Sequence, residues 1–120
     1  MIQPRKRIKV ETGITLRYRT GCGNLFVTIN RDNLGPFEVF TNMGKNGNCG
    51  SAQMEGLCRT ISVALRSGID VKEIIDQLSG IRCPNPNVDE GVTLLSCSDV
   101  IARALLDERS EYERKQTPTS

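Results

Sequence analysis

Residues 20–30 read TGCGNLFVTIN, and this stretch decides the fold. Its first four residues predict a tight turn, because glycine tolerates backbone conformations that other residues avoid. Residues 25–30 are rich in β-branched and aromatic side chains, which predicts a strand. Residues 37–42 (FEVFTN) alternate cleanly, and residues 32–36 (DNLGP) are typical of a turn. The two strands should therefore form an antiparallel hairpin with a loop of about five residues.

The segment before residue 20 carries two further candidate strands. Residues 7–10 (RIKV) and 15–19 (TLRYR) alternate polar and apolar side chains, and residues 11–13 (ETG) separate them as a turn. Residues 1–6 are interpreted as a flexible basic arm. With the hairpin, these segments predict a meander of three to four antiparallel strands.

Three helices are predicted after the strands. Behind Ser51, which suits an N-cap, apolar residues recur at helical spacing from residue 54 to residue 65. Asp70 caps a second, shorter helix, and Ser96 opens a third, with Asp99 placed as in a capping box. The fold class is α+β, with the N-terminal meander packed against two to three C-terminal helices. Residues 7–114 form one domain in this interpretation, and residues 115–120 form a disordered tail.

The composition excludes several kinds of chemistry, because the 120 residues include no histidine. Histidine-based acid–base catalysis, Ser–His–Asp and Cys–His nucleophiles and zinc sites with a histidine ligand are all ruled out. No apolar run approaches the roughly 20 residues needed to span a bilayer, and no secretory signal is recognisable. A cytoplasmic location without membrane contact is therefore expected. In that reducing compartment the five cysteines are expected to be thiols or metal ligands.

Four of the five cysteines share a setting that suits a metal ion. Cys22 lies between glycines, Cys49 precedes a glycine before a helix, Cys83 precedes a proline, and Cys97 lies at a helix N-terminus. Thiolates on such turns can converge on a tetrahedral zinc ion. Cys58 belongs to the apolar stripe of the first helix and is expected in the core. Because none of the cysteines have the short spacing usual in zinc sites, two other hypotheses stay open: scattered thiols without a metal, and a redox-active pair.

A small-ligand site and a nucleic-acid contact are also considered. Residues 44–50 (GKNGNCG) lead into a helix and could cradle a phosphate, but they do not match the P-loop pattern, so a simple connector is the plainer interpretation. The candidate ligand-binding residues are Lys45, Asn46, Asn48, Ser51 and Arg82. Basic residues outnumber acidic ones in the first twenty positions, which suits nucleic-acid phosphates, although the aromatic content is only 4%. A solvated strand face explains the same pattern.

Several motifs taken together resemble one known family. They are residues 20–30, 37–40 (FEVF), 43–45 (MGK), 51–53 with Glu55, 61–68 (ISVALRSG) and 81–84 (IRCP). This combination resembles the TSCPD domain, which occurs near the C-terminal end of adenosylcobalamin-dependent (class II) ribonucleotide reductases and as short free-standing proteins. The resemblance covers about residues 7–106. The motif that names the family falls at residues 95–99 (LSCSD), where Leu95 and Ser98 replace Thr and Pro.

The resemblance implies a structural zinc ion held by Cys22, Cys49, Cys83 and Cys97, the cysteines that the family pattern carries. It also implies a free-standing accessory domain associated with ribonucleotide reductase and not catalytic alone, because nothing in the sequence looks like the catalytic barrel of the reductase. Cobalamin would then enter only through a partner reductase chain, and a reductase chain or a nucleotide effector is the expected partner. The lean apolar content of 38% favours a homodimer. The alternative is a nucleic-acid- or nucleotide-binding zinc module that uses the basic N-terminal strands and residues 44–50.

Overall fold

Three antiparallel strands and three helices account for most of the chain. The computed structural model describes residues 2–43 and 49–116, and for residues 49 and 50 it describes the backbone alone. The elements are β1 Thr12–Thr20, β2 Gly23–Asp32, β3 Gly35–Asn42, α1 Cys49–Arg66, α2 Val71–Leu78, β4 Asn87–Asp89, β5 Val92–Leu94 and α3 Cys97–Gln116. The first three strands form a sheet in the order β1-β2-β3, and β4 pairs with β5 as a separate hairpin. The predicted α+β class is confirmed.

The meander follows the predicted alternation in its central strand. Leu25, Val27 and Ile29 of β2 are buried, whereas the residues between them are partly exposed. The hairpin of β2 and β3 is tighter than expected: pairing continues to Asp32 and Gly35, which leaves a two-residue turn. Gly35 has a φ of 123°, a conformation that favours glycine.

The predicted strand at residues 7–10 is wrong. Strand β1 begins at Thr12, which pairs with Arg31, and β2 ends at Asp32. The expected turn at residues 11–13 does not form, because Thr12 and Gly13 already belong to β1, so residues 7–10 do not fold back as a strand. In this segment Ile8 and Val10 are exposed, and Arg7 forms ion pairs with Glu38 at 2.8 Å and with Glu11 at 3.6 Å.

Helix α1 packs against β3 and covers part of the edge of β3 that does not pair with β2. The hydroxyl oxygen of Ser62 accepts a hydrogen bond from the Val39 N–H at 2.9 Å. The same hydroxyl lies 2.8 Å from the Cys58 carbonyl, to which it donates. The helix begins at Cys49, two residues before the predicted cap at Ser51.

The caps predicted for the second and third helices are present. The side chain of Asp70 accepts a hydrogen bond from the Lys72 N–H at 3.0 Å. At the start of α3, Ser96 accepts from the Asp99 N–H at 3.1 Å. The Asp99 carboxylate accepts from the Leu95 N–H at 3.1 Å and from the Gly80 N–H at 2.9 Å, so it joins the end of α2 to the start of α3.

Polar side chains fasten α3 to the sheet at the border of the core. Arg31 donates two hydrogen bonds to Glu108, at 2.7 and 2.9 Å, and its guanidinium lies 3.8 Å from the centre of the Tyr112 ring. Tyr18 donates to Asp107 at 2.7 Å. Burial, together with this hydrogen bond to Asp107, raises the pKa of Tyr18 far above its usual value. The phenol therefore stays protonated and keeps donating to Asp107.

The N-terminal segment is bound to the rest of the domain through Arg5. Arg5, which belongs to the predicted arm, donates two hydrogen bonds to Asp32 at 3.0 Å each and a third to the Leu65 carbonyl at 3.2 Å. Its backbone N–H donates to the Arg66 carbonyl at 2.7 Å. At the other end of the chain, α3 continues to Gln116, two residues past the predicted domain limit.

None of the helices in the described residues has the length and apolar character required to cross a membrane.

The turn between β1 and β2 packs closely against the segment that follows α2. A Cβ atom on Gly21 would lie 2.7 Å from the Asn85 carbonyl carbon and would collide with its oxygen. Beside this contact, Asn87 donates to the Arg19 carbonyl at 2.9 Å, and Asp89 accepts from the Arg19 N–H at 2.9 Å. The backbone at the end of β1 therefore lies in direct contact with residues 83–89.

Replacing Gly21 with alanine should lower the free energy of unfolding by about 1–3 kcal/mol, because the Asn85 backbone must move to admit a Cβ atom. A Cβ atom on Gly56, in α1, would meet nothing within 4 Å, so Gly56→Ala is the matched control and should stabilise by about 0.5–1 kcal/mol. Urea denaturation measures both. Equal stability of Gly21→Ala and the wild type would contradict the close contact.

Candidate metal centre

Three of the four predicted zinc ligands lie near one another at one end of the sheet. Cys22 is in the β1–β2 turn, Cys83 lies between α2 and β4, and Cys97 is the first residue of α3. Burial raises the pKa of the Cys97 thiol, and the negative charges of Cys22 and Cys83 raise it further. Because electrostatic repulsion falls with distance, both thiolates lie within interaction range of Cys97.

Local hydrogen bonds fix the turn that carries Cys22. The Cys22 N–H donates to the Thr20 hydroxyl oxygen at 3.1 Å, and that hydroxyl donates to the Gly23 carbonyl at 2.8 Å. Gly23 has a φ of 122°, so the chain reverses there without strain. The Cys22 side chain is exposed. The turn thus presents the thiol at the rim of the cluster.

Cys83 is held against the start of α3 by its backbone. Its N–H donates to the Leu95 carbonyl at 3.0 Å, two residues before Cys97. Its sulfur accepts a hydrogen bond from the Asn85 N–H at 3.4 Å. An N–H group directed at sulfur stabilises the thiolate form, which is the form that binds metals.

Two opposing effects act on the ionisation of the Cys97 thiol. Cys97 is partly buried, which disfavours a thiolate. It also begins a helix of 20 residues, whose N-terminal dipole favours negative charge. A cation placed among the three sulfurs would remove the repulsion that raises the pKa of Cys97.

The three sulfurs do not by themselves form a ready metal site. Across residues 2–43 and 49–116, no group of three or more Cys, Asp or Glu side chains is arranged to hold a metal ion. The side chain of the fourth predicted ligand, Cys49, lies outside the described residues. The complete four-cysteine arrangement therefore stays a prediction.

The backbone nevertheless shows at which end of the sheet α1 begins. Strand β3 ends at Asn42, which pairs with Phe26 of β2, and Thr41 before it pairs with Val27. Phe26 lies close to the β1–β2 turn. The C-terminal end of α1 contacts Arg5, which binds Asp32 at the opposite end of the sheet. Helix α1 therefore runs back along β3, and its first residue lies at the end of the sheet that carries Cys22.

Cys58 is separate from this cluster. It is buried in the core on α1, and its sulfur lies 3.6 Å from the Thr41 hydroxyl oxygen. Burial raises the pKa of its thiol. It fills core volume as a neutral side chain, as the sequence predicted.

Of the other candidate ligand-binding residues, the structure describes Ser51 and Arg82. Lys45, Asn46 and Asn48 lie outside the described residues. Arg82 is exposed beside Cys83. Ser51 instead lines a cleft of about 730 Å³ between α1 and β3.

That cleft was not anticipated from the sequence. Arg7, Phe40, Arg59, Val63 and Arg66 are among its lining residues. They come from the N-terminal segment, β3 and α1, and no short motif links them. Nothing in the sequence pointed to the hydrogen bond from the Asn85 N–H to the Cys83 sulfur either. Every residue except proline has a backbone N–H, so the residue type does not show which one will donate.

Comparison with known proteins agrees with the fold. The family model of the TSCPD domain matches residues 2–108 of the 120-residue chain. Searches of curated proteins and of solved structures found no match. The match spans every strand and most of α3, including all five cysteines. The chain therefore belongs to the TSCPD domain family, a domain found in ribonucleotide reductases.

Proposed function

We propose that this protein is a zinc-stabilised accessory domain that associates with a ribonucleotide reductase and is not catalytic alone. The observation that carries the proposal is the placement of Cys22, Cys83 and Cys97 at one end of the sheet, in a member of this family. The three cysteines come from segments that are distant in sequence. A cytoplasmic, reducing location keeps such thiols available to a metal.

The zinc ion explains why three ionisable thiols are gathered together. Thiolates repel one another, and the raised pKa of Cys97 records the burial and that repulsion. A divalent cation reverses the sign of the local field, and zinc coordinates thiolates at about 2.3 Å. Cys49, which begins α1 at the same end of the sheet, supplies the fourth ligand in this proposal.

The residues around the sulfurs suit a bound metal. The Asn85 N–H that donates to Cys83 and the α3 N-terminus at Cys97 both stabilise negative sulfur. Zinc bound by Cys22, Cys49, Cys83 and Cys97 would cross-link the β1–β2 turn, α1, the segment after α2, and α3. Closing such long loops stabilises a small domain with a lean core.

A thiol redox enzyme is the less favoured alternative. Reactive cysteines have a depressed pKa, which raises the fraction of nucleophilic thiolate. Burial raises the pKa of both Cys58 and Cys97. The chain also has no histidine to act as a general base. These features favour a structural role for the cysteines.

Protein purified without chelators should carry about one zinc ion per chain. The single variants Cys22→Ser, Cys83→Ser and Cys97→Ser should each weaken zinc binding by at least about a hundredfold, because each removes a ligand. Elemental analysis and competition with a chromogenic chelator measure both quantities. Cys58→Ala is the matched control: it should lower stability through the core cavity and leave zinc content unchanged.

The zinc proposal is contradicted if the wild-type protein has no zinc and tolerates Cys22→Ser and Cys97→Ser without loss of stability. Equal zinc loss in Cys58→Ala would also contradict the assignment of ligands.

The partner proposal has a separate test. Purified chain mixed with an adenosylcobalamin-dependent reductase chain from the same organism should co-elute with it in size-exclusion chromatography with light scattering. The zinc-free Cys22→Ser/Cys97→Ser variant should co-elute less, because its segments are no longer cross-linked. Separate elution of wild-type chain and reductase at micromolar concentrations would contradict the association and leave the zinc result standing.

A further inference from the structure

One face of the meander is turned away from the helices. The buried residues of β2 and β3, including Val27 and Val39, lie on the opposite face and pack in the core with α1 and α3. We call the other face the outer face. Its exposed or partly exposed residues include Thr15, Arg17, Arg19, Phe26, Thr28 and Phe40. Glu38, which pairs with Asn30, lies on the same face but is buried.

Two aromatic rings lie between cations across this outer face. Arg17 on β1 is directly opposite Phe26 on β2. Thr28, two residues after Phe26, is opposite Phe40 on β3, so the two phenylalanines are diagonal neighbours. Beyond Phe40, the Arg7 guanidinium lies 5.7 Å from the centre of its ring. A path from β1 to the N-terminal segment thus carries arginine, two phenylalanines and arginine.

The free positive charge is concentrated on the β1 side. Arg17 and Arg19 are exposed, and neither side chain has an ion-pair or hydrogen-bond partner in the described part of the chain. Their spacing of two residues places both on the outer face. Asp89 lies at the edge of β1, where its carboxylate is occupied by the Arg19 N–H.

The nearby carboxylates are largely neutralised. Glu38 is only 1% exposed and binds Arg7 at 2.8 Å and Asn30 at 2.9 Å. A hydrogen bond with Glu38 raises the pKa of Glu11, and burial raises it further. The ion pair with Arg7 therefore offsets the charge of Glu38 at the outer face.

The path continues into the cleft between α1 and β3. Arg7 and Phe40 border both surfaces, and the cleft adds Arg59 and Arg66. Arg59 is paired with Glu55 at 3.1 Å, but both side chains are mostly exposed, so that pair is weak. The outer face and the cleft form one continuous surface with cations at both ends.

We propose that this continuous surface binds single-stranded nucleic acid. Exposed aromatic rings stack on unpaired bases, and arginines along a groove neutralise the phosphates. A second copy packed symmetrically on this face would bring two positively charged patches together, which repel. A base-paired duplex would hide the faces of its bases from Phe26 and Phe40. The chemistry of the surface therefore selects a single strand.

The experiment measures fluorescence anisotropy of a labelled oligothymidylate of roughly 15 nucleotides with the full-length protein. The protein should bind at low salt, and affinity should fall steeply as salt rises. Arg17→Glu/Arg19→Glu should weaken binding at least about tenfold, and Phe40→Leu should weaken it about tenfold through lost stacking. Circular dichroism checks that each variant is folded.

The matched control is Lys72→Glu/Arg109→Glu, which makes the same charge change on α2 and α3, away from the outer face. It should bind like the wild type. The proposal is overturned by no binding at low salt, by equal weakening in the control, by duplex binding as tight as single-strand binding, or by equal competition from a mononucleotide. Dimerisation that Arg17→Glu/Arg19→Glu alters would also overturn it, because a second copy would then occupy the face.

Discussion

The close approach of the Gly21 turn to the Asn85 backbone is the constraint on which the rest of the structure depends. The meander and the helical half are far apart in sequence, and this contact brings one end of the sheet against the segment after α2. The side chains of Asn87 and Asp89 bind the backbone of Arg19 beside it and hold the two segments in register. Cys22 follows Gly21 and Cys83 precedes Asn85 by two residues, so the same contact brings both thiols to the start of α3.

A second set of hydrogen bonds completes the arrangement around α3. Asp99 accepts from Gly80 at the end of α2 and from Leu95 before α3, and Cys83 donates to the Leu95 carbonyl. Asp99, in the first turn of α3, therefore also holds the segment after α2, which carries Cys83. Departures from the family motif at Leu95 and Ser98 leave this network intact, because Leu95 takes part through its backbone and Ser96 and Asp99 are retained.

Much of the fold follows from local patterns in the sequence, whereas the candidate site depends on contacts between distant segments. The caps at Asp70 and Ser96 involve only neighbouring residues, and both are present. Asp99 does not close a full capping box, because its carboxylate accepts from the Leu95 and Gly80 N–H groups. The strand expected at residues 7–10 does not form, because Thr12 and Gly13 of the expected turn are paired with β2 as the start of β1. The residue types of the clustered cysteines suggested a metal, but their spacing did not. Likewise, Arg17 and Phe26 are opposite each other only because of the strand register.

Cys22, Cys83 and Cys97 lie at one end of the sheet, which we call the cysteine end. We propose that this end is a zinc site with all-sulfur ligation. X-ray absorption at the zinc edge of the purified protein tests this most directly. Four sulfur ligands at about 2.3 Å are expected. A zinc shell made mainly of oxygen or nitrogen, or a protein without zinc, would contradict the claim.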